Sequence, residues 1–126
     1  MKNLIIDYYK NSKGTMKSKC LYIAKMINVD LEFCSREYMK SKTQKNVTGA
    51  TDGAEILLIR LKDKFDLFTF FHEVGHVLLH FSTGLNADGY YANKDKYETE
   101  ADVFAEECLL AIFGDSVLDI IRICKI

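Results

Sequence analysis

Proline is absent from this chain of 126 residues. The boundaries of its helices and strands must therefore be set by glycine, asparagine, aspartate and helix-capping side chains. Cysteine is scarce, and its four copies show no Cys-x-x-Cys spacing of the kind that indicates a metal site or a redox pair. We expect reduced, largely buried thiols in a cytoplasmic protein at all four positions: Cys20, Cys34, Cys108 and Cys124.

The chain also lacks a strong net charge and a long apolar run. Its formal net charge of −1 gives no general attraction to nucleic acid or to an anionic membrane. It has no run of about 18 apolar residues that would span a membrane. The apolar run at residues 4–6 is interrupted by Asp7, which argues against a signal peptide. Because no helix-turn-helix pattern occurs either, we expect a cytoplasmic protein that reaches DNA only through a partner.

Hydrophobic patterning predicts a single α+β domain over residues 1–126. Alternating or apolar runs predict three strands, at residues 29–34, 47–51 and 54–61. Helical spacing predicts four helices, at residues 18–27, 66–80, 97–112 and 115–126. Asp52-Gly53 predicts a hairpin between the last two strands. Residues 4–9 are predicted as a short helix or an arm, and residues 35–46 as a loop or a partly helical connection. We expect a short mixed or antiparallel sheet, packed on the most apolar of the helices.

That most apolar helix carries the sequence His72-Glu73-x-x-His76. With about 3.6 residues per turn, the two histidines lie one above the other, so both imidazoles can reach one metal ion. Glu73 is rotated by about 100° and can reach a water molecule on that metal without binding the metal itself. Histidine and glutamate side chains on an otherwise apolar helix need polar partners. The pattern predicts a zinc site with Glu73 as the catalytic base.

A third metal ligand is predicted on the next helix, at residues 97–112. Stepping back from its apolar stripe by three or four residues reaches Glu98, which therefore faces the core. A carboxylate there is costly unless it meets a cation, so we predict Glu98 as the third zinc ligand. Glu100 is the alternative, because a helix start is predicted only to within a few residues. Asp102, one turn after Glu98, is placed to accept the second ring N–H of a ligand histidine.

A peptide hydrolase also needs a hydrogen-bond donor for the oxyanion that forms on the attacked carbonyl. Three side chains near the motif are candidates for this role: His80, Tyr90 and Tyr91. His80 shares the helix face of the two predicted ligands but lies two turns from His72. We expect His80 to support the ligands from outside the coordination sphere or to be structural.

Two segments of the chain follow one family pattern. Residues 68–80 match F-T-x-x-H-E-x-G-H-x-x-x-H, and residues 98–105 match E-x-x-A-(N/D/S)-x-F-A. In both segments the chain resembles the ImmA/IrrE family of metallopeptidases, a gluzincin-like group. The resemblance implies a small zincin-like fold and agrees with the choice of Glu98 over Glu100. It implies zinc bound by three side chains and a separate catalytic carboxylate: His72, His76 and Glu98 for zinc, and Glu73 for catalysis. The family usually continues as L-L-M-P, whereas residues 108–114 contain no proline.

Two functions from different classes follow from these residues. Members of the ImmA/IrrE family typically occur in bacteria, phages and integrative elements, beside a helix-turn-helix repressor that they cleave or inactivate. The resemblance therefore implies a zinc endopeptidase that regulates transcription by cleaving a repressor-type protein. The alternative is a catalytically weak binding module with a structural zinc site, which controls a partner regulator by contact. Glu73 distinguishes the two, because a structural site needs no general base.

Overall fold

The computed structural model describes residues 1–125 and has an α+β fold, with mostly helices and one small mixed sheet. Its elements are, in chain order, α1 (Lys2–Asn11), α2 (Met16–Met26), β1 (Asp30–Phe33), α3 (Arg36–Thr43), β2 (Gly49–Thr51), β3 (Glu55–Leu58), α4 (Lys64–Leu79), α5 (Ala87–Ala92), α6 (Lys94–Phe113) and α7 (Leu118–Cys124). Ile126, the last residue of the predicted tail helix, lies outside the described residues. Within residues 1–125, no helix is both long enough and apolar enough to cross a membrane.

Three short strands form the sheet in the order β1–β3–β2. Strand β1 runs parallel to β3, and β2 runs antiparallel to it. The predicted hairpin is confirmed. Asp52 Oδ1 accepts hydrogen bonds from the backbone N–H groups of Ala54 and Glu55, and Gly53 adopts a φ of +95° that favours glycine. Because β2 pairs only with β3 in the described part of the chain, its outer side is a free edge.

Helix α4 forms the centre of the core and contacts α2, α6, α7, β2 and β3. Its buried apolar side chains point to nearly every side: Leu67, Phe68, Phe70, Phe71, Val74 and Val77. The helix begins at an Asp63 cap, whose Oδ1 accepts the backbone N–H of Asp66 at 2.9 Å. Asp66 is itself buried and accepts hydrogen bonds from the Arg60 guanidinium and the Lys62 N–H. Packing and capping together hold the motif helix in one position.

Several elements differ from their sequence prediction in length. The strand predicted at residues 54–61 ends at Leu58, because its partner strands are only four and three residues long. The segment at residues 35–46 is partly helical: α3 starts at Ser35, whose side chain accepts the N–H of Tyr38. The predicted tail helix opens with a 3-10 turn at Gly114–Val117 that has no side-chain cap. It becomes α-helical only at Leu118.

Helix α6 runs unbroken to Phe113, beyond the point where the family pattern has a proline. The sequence predicts an apolar stripe of Ala101, Ala105, Cys108, Leu109 and Ile112; the first four are buried, Ile112 is half-buried, and Phe104 is buried as well. The helix packs closely along α4, because Gly75 faces the Phe104 ring. A Cβ placed on Gly75 would lie 3.1 Å from Phe104 Cβ. This close approach brings the polar side chains of α6 within reach of the α4 histidines.

Two of the four cysteines are buried and unreactive. All four are free thiols in the described part of the chain, and Cys20 and Cys108 are buried. Burial raises the pKa of the Cys108 thiol to about 12, and it raises the pKa of Cys20 further above its usual value. Because the thiolate is the reactive form, neither buried thiol is a nucleophile near neutral pH.

Candidate metal centre

Helices α4 and α6 bring three metal-binding side chains together. His72 Nε2 and His76 Nε2 lie 3.1 Å apart, and Glu98 Oε1 lies 3.4 Å from His72 Nε2. The other carboxylate oxygen, Glu98 Oε2, lies 2.6 Å from His76 Nε2. One ligand atom from each residue lies within 4.8 Å of the other two. The three residues that the sequence predicts as ligands therefore form one group that can hold a metal ion.

The spacing of this group fits a tetrahedral cation. Bonds of about 2.0–2.2 Å from zinc to histidine nitrogen and carboxylate oxygen separate neighbouring ligand atoms by roughly 3.3 Å. The distances of 3.1 and 3.4 Å lie on either side of that value, and the His76–Glu98 contact is a short hydrogen bond. Two imidazoles and a carboxylate are a donor set that catalytic zinc sites use, with one position left for water. The residues present thus fit a divalent metal ion.

Carboxylates give the site a preference for positive charge. His72 donates its Nδ1–H to Asp102 at 2.7 Å, which is the contact predicted for Asp102. Burial lowers the pKa of His72, but the hydrogen bonds with Asp102 and Glu98 outweigh burial and raise the pKa to about 10. Although burial raises the pKa of Glu98, hydrogen bonds from the two histidines hold it well below its usual range. The Asp102 and Glu98 carboxylates thus favour positive charge at His72, whereas burial lowers the pKa of His76.

No protein-family model, curated protein or solved structure matches this chain. Residues 68–80 and 98–105, which carry the family pattern in the sequence, lie on α4 with its C-cap residue and on α6, respectively.

Glu73 lies beside the ligand group and is only 6% exposed. Burial raises its pKa to about 7, while the positive charge of His72 acts in the opposite direction. Strand β2 closes over this side chain at Gly49. A Cβ placed on Gly49 would lie 2.6 Å from Thr69 Cγ2 and 3.4 Å from Glu73 Oε2. Sequence reasoning missed Gly49, because a glycine in a short strand gives no sign of the helix that it approaches.

Of the three candidate oxyanion donors, Tyr90 lies at the ligand group. Its hydroxyl donates a hydrogen bond to Glu98 Oε2, and its ring packs edge-on against His76 with centroids 5.7 Å apart. Burial, together with the Glu98 carboxylate, raises the pKa of Tyr90 well above its usual value, so the hydroxyl keeps its proton. Tyr91 is 64% exposed and contacts the Tyr90 ring from outside. Of the two adjacent tyrosines, Tyr90 therefore contacts the ligand group, whereas Tyr91 is exposed to solvent.

His80 and Glu100 lie behind the ligand group instead of within it. His80 Nδ1 lies 3.0 Å from His76 Nδ1, and His80 donates its Nε2–H to Glu100 at 2.9 Å. Glu100 thus reaches His80, while Glu98 reaches the nitrogens of the ligand group. Tyr97, which sequence reasoning missed, packs its ring on His80 with centroids 4.7 Å apart. In the sequence, the indication that Tyr97 lies near the site was its position directly before Glu98.

Proposed function

We propose that this chain is a zinc-dependent endopeptidase of the ImmA/IrrE type. The observation that supports this most strongly is the meeting of three ligand atoms from His72, His76 and Glu98 with the buried Glu73 beside them. These three residues would hold the zinc. When bound, zinc lowers the pKa of a water molecule to about 7 and polarises the carbonyl that the water attacks.

The side chains around the ligand group have separate roles in this proposal. Glu73 takes the proton of the attacking water and later delivers it to the leaving amine. A general base works best when its pKa is close to the working pH; burial raises the pKa of Glu73 toward that range, and a bound zinc ion would act in the opposite direction. Asp102 orients the His72 ring through the Nδ1–H, so that Nε2 points into the ligand group. Tyr90 presents a protonated hydroxyl at the same place and supplies the oxyanion donor.

An extended peptide is the substrate class that the surroundings of the site favour. Strand β2 contacts α4, and its free edge begins at Gly49, beside Glu73. A peptide that pairs with this edge adds a strand to the sheet through main-chain hydrogen bonds. Its backbone carbonyls then run past the ligand group, as hydrolysis of an internal peptide bond requires.

A repressor-type regulatory protein in the cytoplasm is the partner that we propose. The family resemblance supports this choice, and the free cysteines suit a reducing compartment. The net charge of −1 favours a protein substrate over direct contact with nucleic acid. In this proposal the chain affects transcription only through the regulator that it cleaves.

Hydrolysis should depend on zinc. We expect zinc-loaded protein to cleave members of a fluorogenic peptide library, to lose this activity on treatment with a chelator, and to regain it when zinc is restored. The His76→Ala variant, which lacks a ligand, should remain inactive at the same zinc concentration. Cleavage that persists after complete removal of metal would contradict the proposal. So would the absence of cleavage by fully zinc-loaded protein, both of the library and of co-expressed helix-turn-helix repressors.

Removing the Tyr90 hydroxyl should slow hydrolysis without loss of zinc. We expect Tyr90→Phe to lower kcat by about 10²–10³-fold, because loss of one oxyanion donor commonly has an effect of that size. KM should change little, and zinc supplied in excess should keep the site loaded, although loss of the hydrogen bond to Glu98 should weaken zinc affinity. The matched control is Tyr91→Phe, which removes the adjacent, exposed hydroxyl and should leave kcat unchanged. Equal kcat values for the two variants would assign the donor role to another group.

A further inference from the structure

All three histidines of the chain follow one another at four-residue spacing, and their side chains make a continuous line of contacts. The line begins between His72 Nε2 and His76 Nε2, at 3.1 Å. It continues from His76 Nδ1 to His80 Nδ1 at 3.0 Å, and it ends at Glu100 Oε1, 2.9 Å from His80 Nε2. The line thus leads from the ligand group to a carboxylate on α6.

The position of each proton in this line follows from its two ends. Glu100 accepts a hydrogen bond at Oε1, so the proton of His80 lies on Nε2. With its proton on Nε2, the His80 ring presents a lone pair at Nδ1, which accepts a hydrogen bond. When a metal replaces the hydrogen bond between His76 Nε2 and Glu98, His76 would carry its proton on Nδ1 and donate it to His80. This tautomer leaves the Nε2 lone pair of His76 free to bind a metal.

The surroundings of His80 hold this arrangement in place. His80 is 2% exposed, and the Tyr97 ring packs against it with centroids 4.7 Å apart. Its backbone carbonyl accepts hydrogen bonds from the Thr83 hydroxyl at 2.6 Å and from the Leu85 N–H at 3.3 Å. The α4 terminus is thus fixed at the residue whose ring contacts His76.

We propose that His80 and Glu100 are positioning residues that fix the tautomer and ring orientation of His76 for metal binding. The two metal-binding histidines then have separate supports, because Asp102 orients His72 directly while Glu100 orients His76 through a second imidazole. The inference rests on the proposed metal site but not on peptidase activity. Outer partners of ligand histidines commonly change metal affinity by about 10–100-fold.

The test measures the zinc dissociation constant of the full chain by competition with a chromophoric chelator. His80→Phe keeps a flat ring against Tyr97 but offers His76 no acceptor, and we expect it to weaken zinc binding by about 10–100-fold. His80→Gln restores a carbonyl acceptor and should recover most of the affinity. Glu100→Ala, on a carboxylate that is 43% exposed, should weaken binding by roughly tenfold without affecting folding.

Glu107→Gln is the matched control, because Glu107 pairs with Lys2 on the same face of α6 and touches no histidine. It should bind zinc as the unaltered chain does. The d–d absorption bands of cobalt-substituted protein give a second readout, and they should shift in His80→Phe and Glu100→Ala but not in Glu107→Gln. Failure of the unaltered chain to bind zinc would overturn the metal site together with this inference. Unchanged affinity and spectra in both His80→Phe and Glu100→Ala, beside a zinc-binding parent, would overturn the inference alone.

Discussion

Replacing Glu73 by glutamine is expected to slow peptide hydrolysis by orders of magnitude while zinc remains bound. Glutamine has nearly the same size and keeps an acceptor oxygen, but it cannot take a proton from the attacking water. General base catalysis typically contributes about 10²–10⁴-fold to a rate, so kcat should fall by that factor. Glu73 is not one of the three ligand residues, and zinc content should therefore match that of the unaltered protein. Parallel metal analysis and single-turnover cleavage of one verified peptide measure both quantities.

The same variant separates the two functions that the sequence left open. An endopeptidase that acts by cleavage loses control of its regulator in Glu73→Gln, whereas a binding module with a structural zinc keeps it. Glu55→Gln on β3 provides a control for loss of one acidic charge on another element. Full proteolysis by zinc-loaded Glu73→Gln would refute the role of Glu73 as the base. Retained control of the regulator without any cleavage would favour the binding module.

The central part of the fold was predictable from local sequence. The motif helix could be recognised because one element combines an apolar surface on nearly every side with polar residues at four-residue spacing. The hairpin could be recognised because Asp52-Gly53 supplies its own hydrogen bonds and the required positive φ. Helix geometry favoured Glu98 over Glu100, since the apolar stripe of α6 determines which face meets α4, and the family resemblance agreed with that choice. Each of these features depends on a few neighbouring residues.

The remaining features depend on contacts between distant segments. The sequence did not predict the strand order, and β3 is shorter than its apolar run because its partner strands are short. The local sequence pattern does not indicate that Gly49 lies close to Thr69 or that Gly75 lies close to Phe104. Tyr90 and Tyr91 could not be distinguished from their sequence, because the orientation of a six-residue helix in a connector depends on what it packs against.

Glu98 and Glu100 provide the sharpest test of the metal centre, because the two carboxylates differ by two positions on one helix. Glu98→Ala removes one of the three proposed ligands and should lower zinc affinity by more than the roughly 10–100-fold that is typical of outer partners. Glu100→Ala should stay within that range, since Glu100 contacts His80 and none of the ligand nitrogens. His76→Ala should lose zinc as Glu98→Ala does, because each leaves only two of the three ligands.

The measurement is the zinc content of protein purified without added metal, followed by titration of each variant with zinc against a chelator. Near-stoichiometric zinc in the unaltered chain, lost in His76→Ala and Glu98→Ala but kept in Glu100→Ala, is the expected pattern. Thermal unfolding of the metal-free forms controls for misfolding, since all of them should unfold at similar temperatures if only ligation differs. The reverse order of affinities would transfer the ligand role to Glu100, which would require α6 to rotate relative to α4. Such a rotation would remove the Phe104 ring from Gly75, and the close packing of the two helices makes this outcome costly.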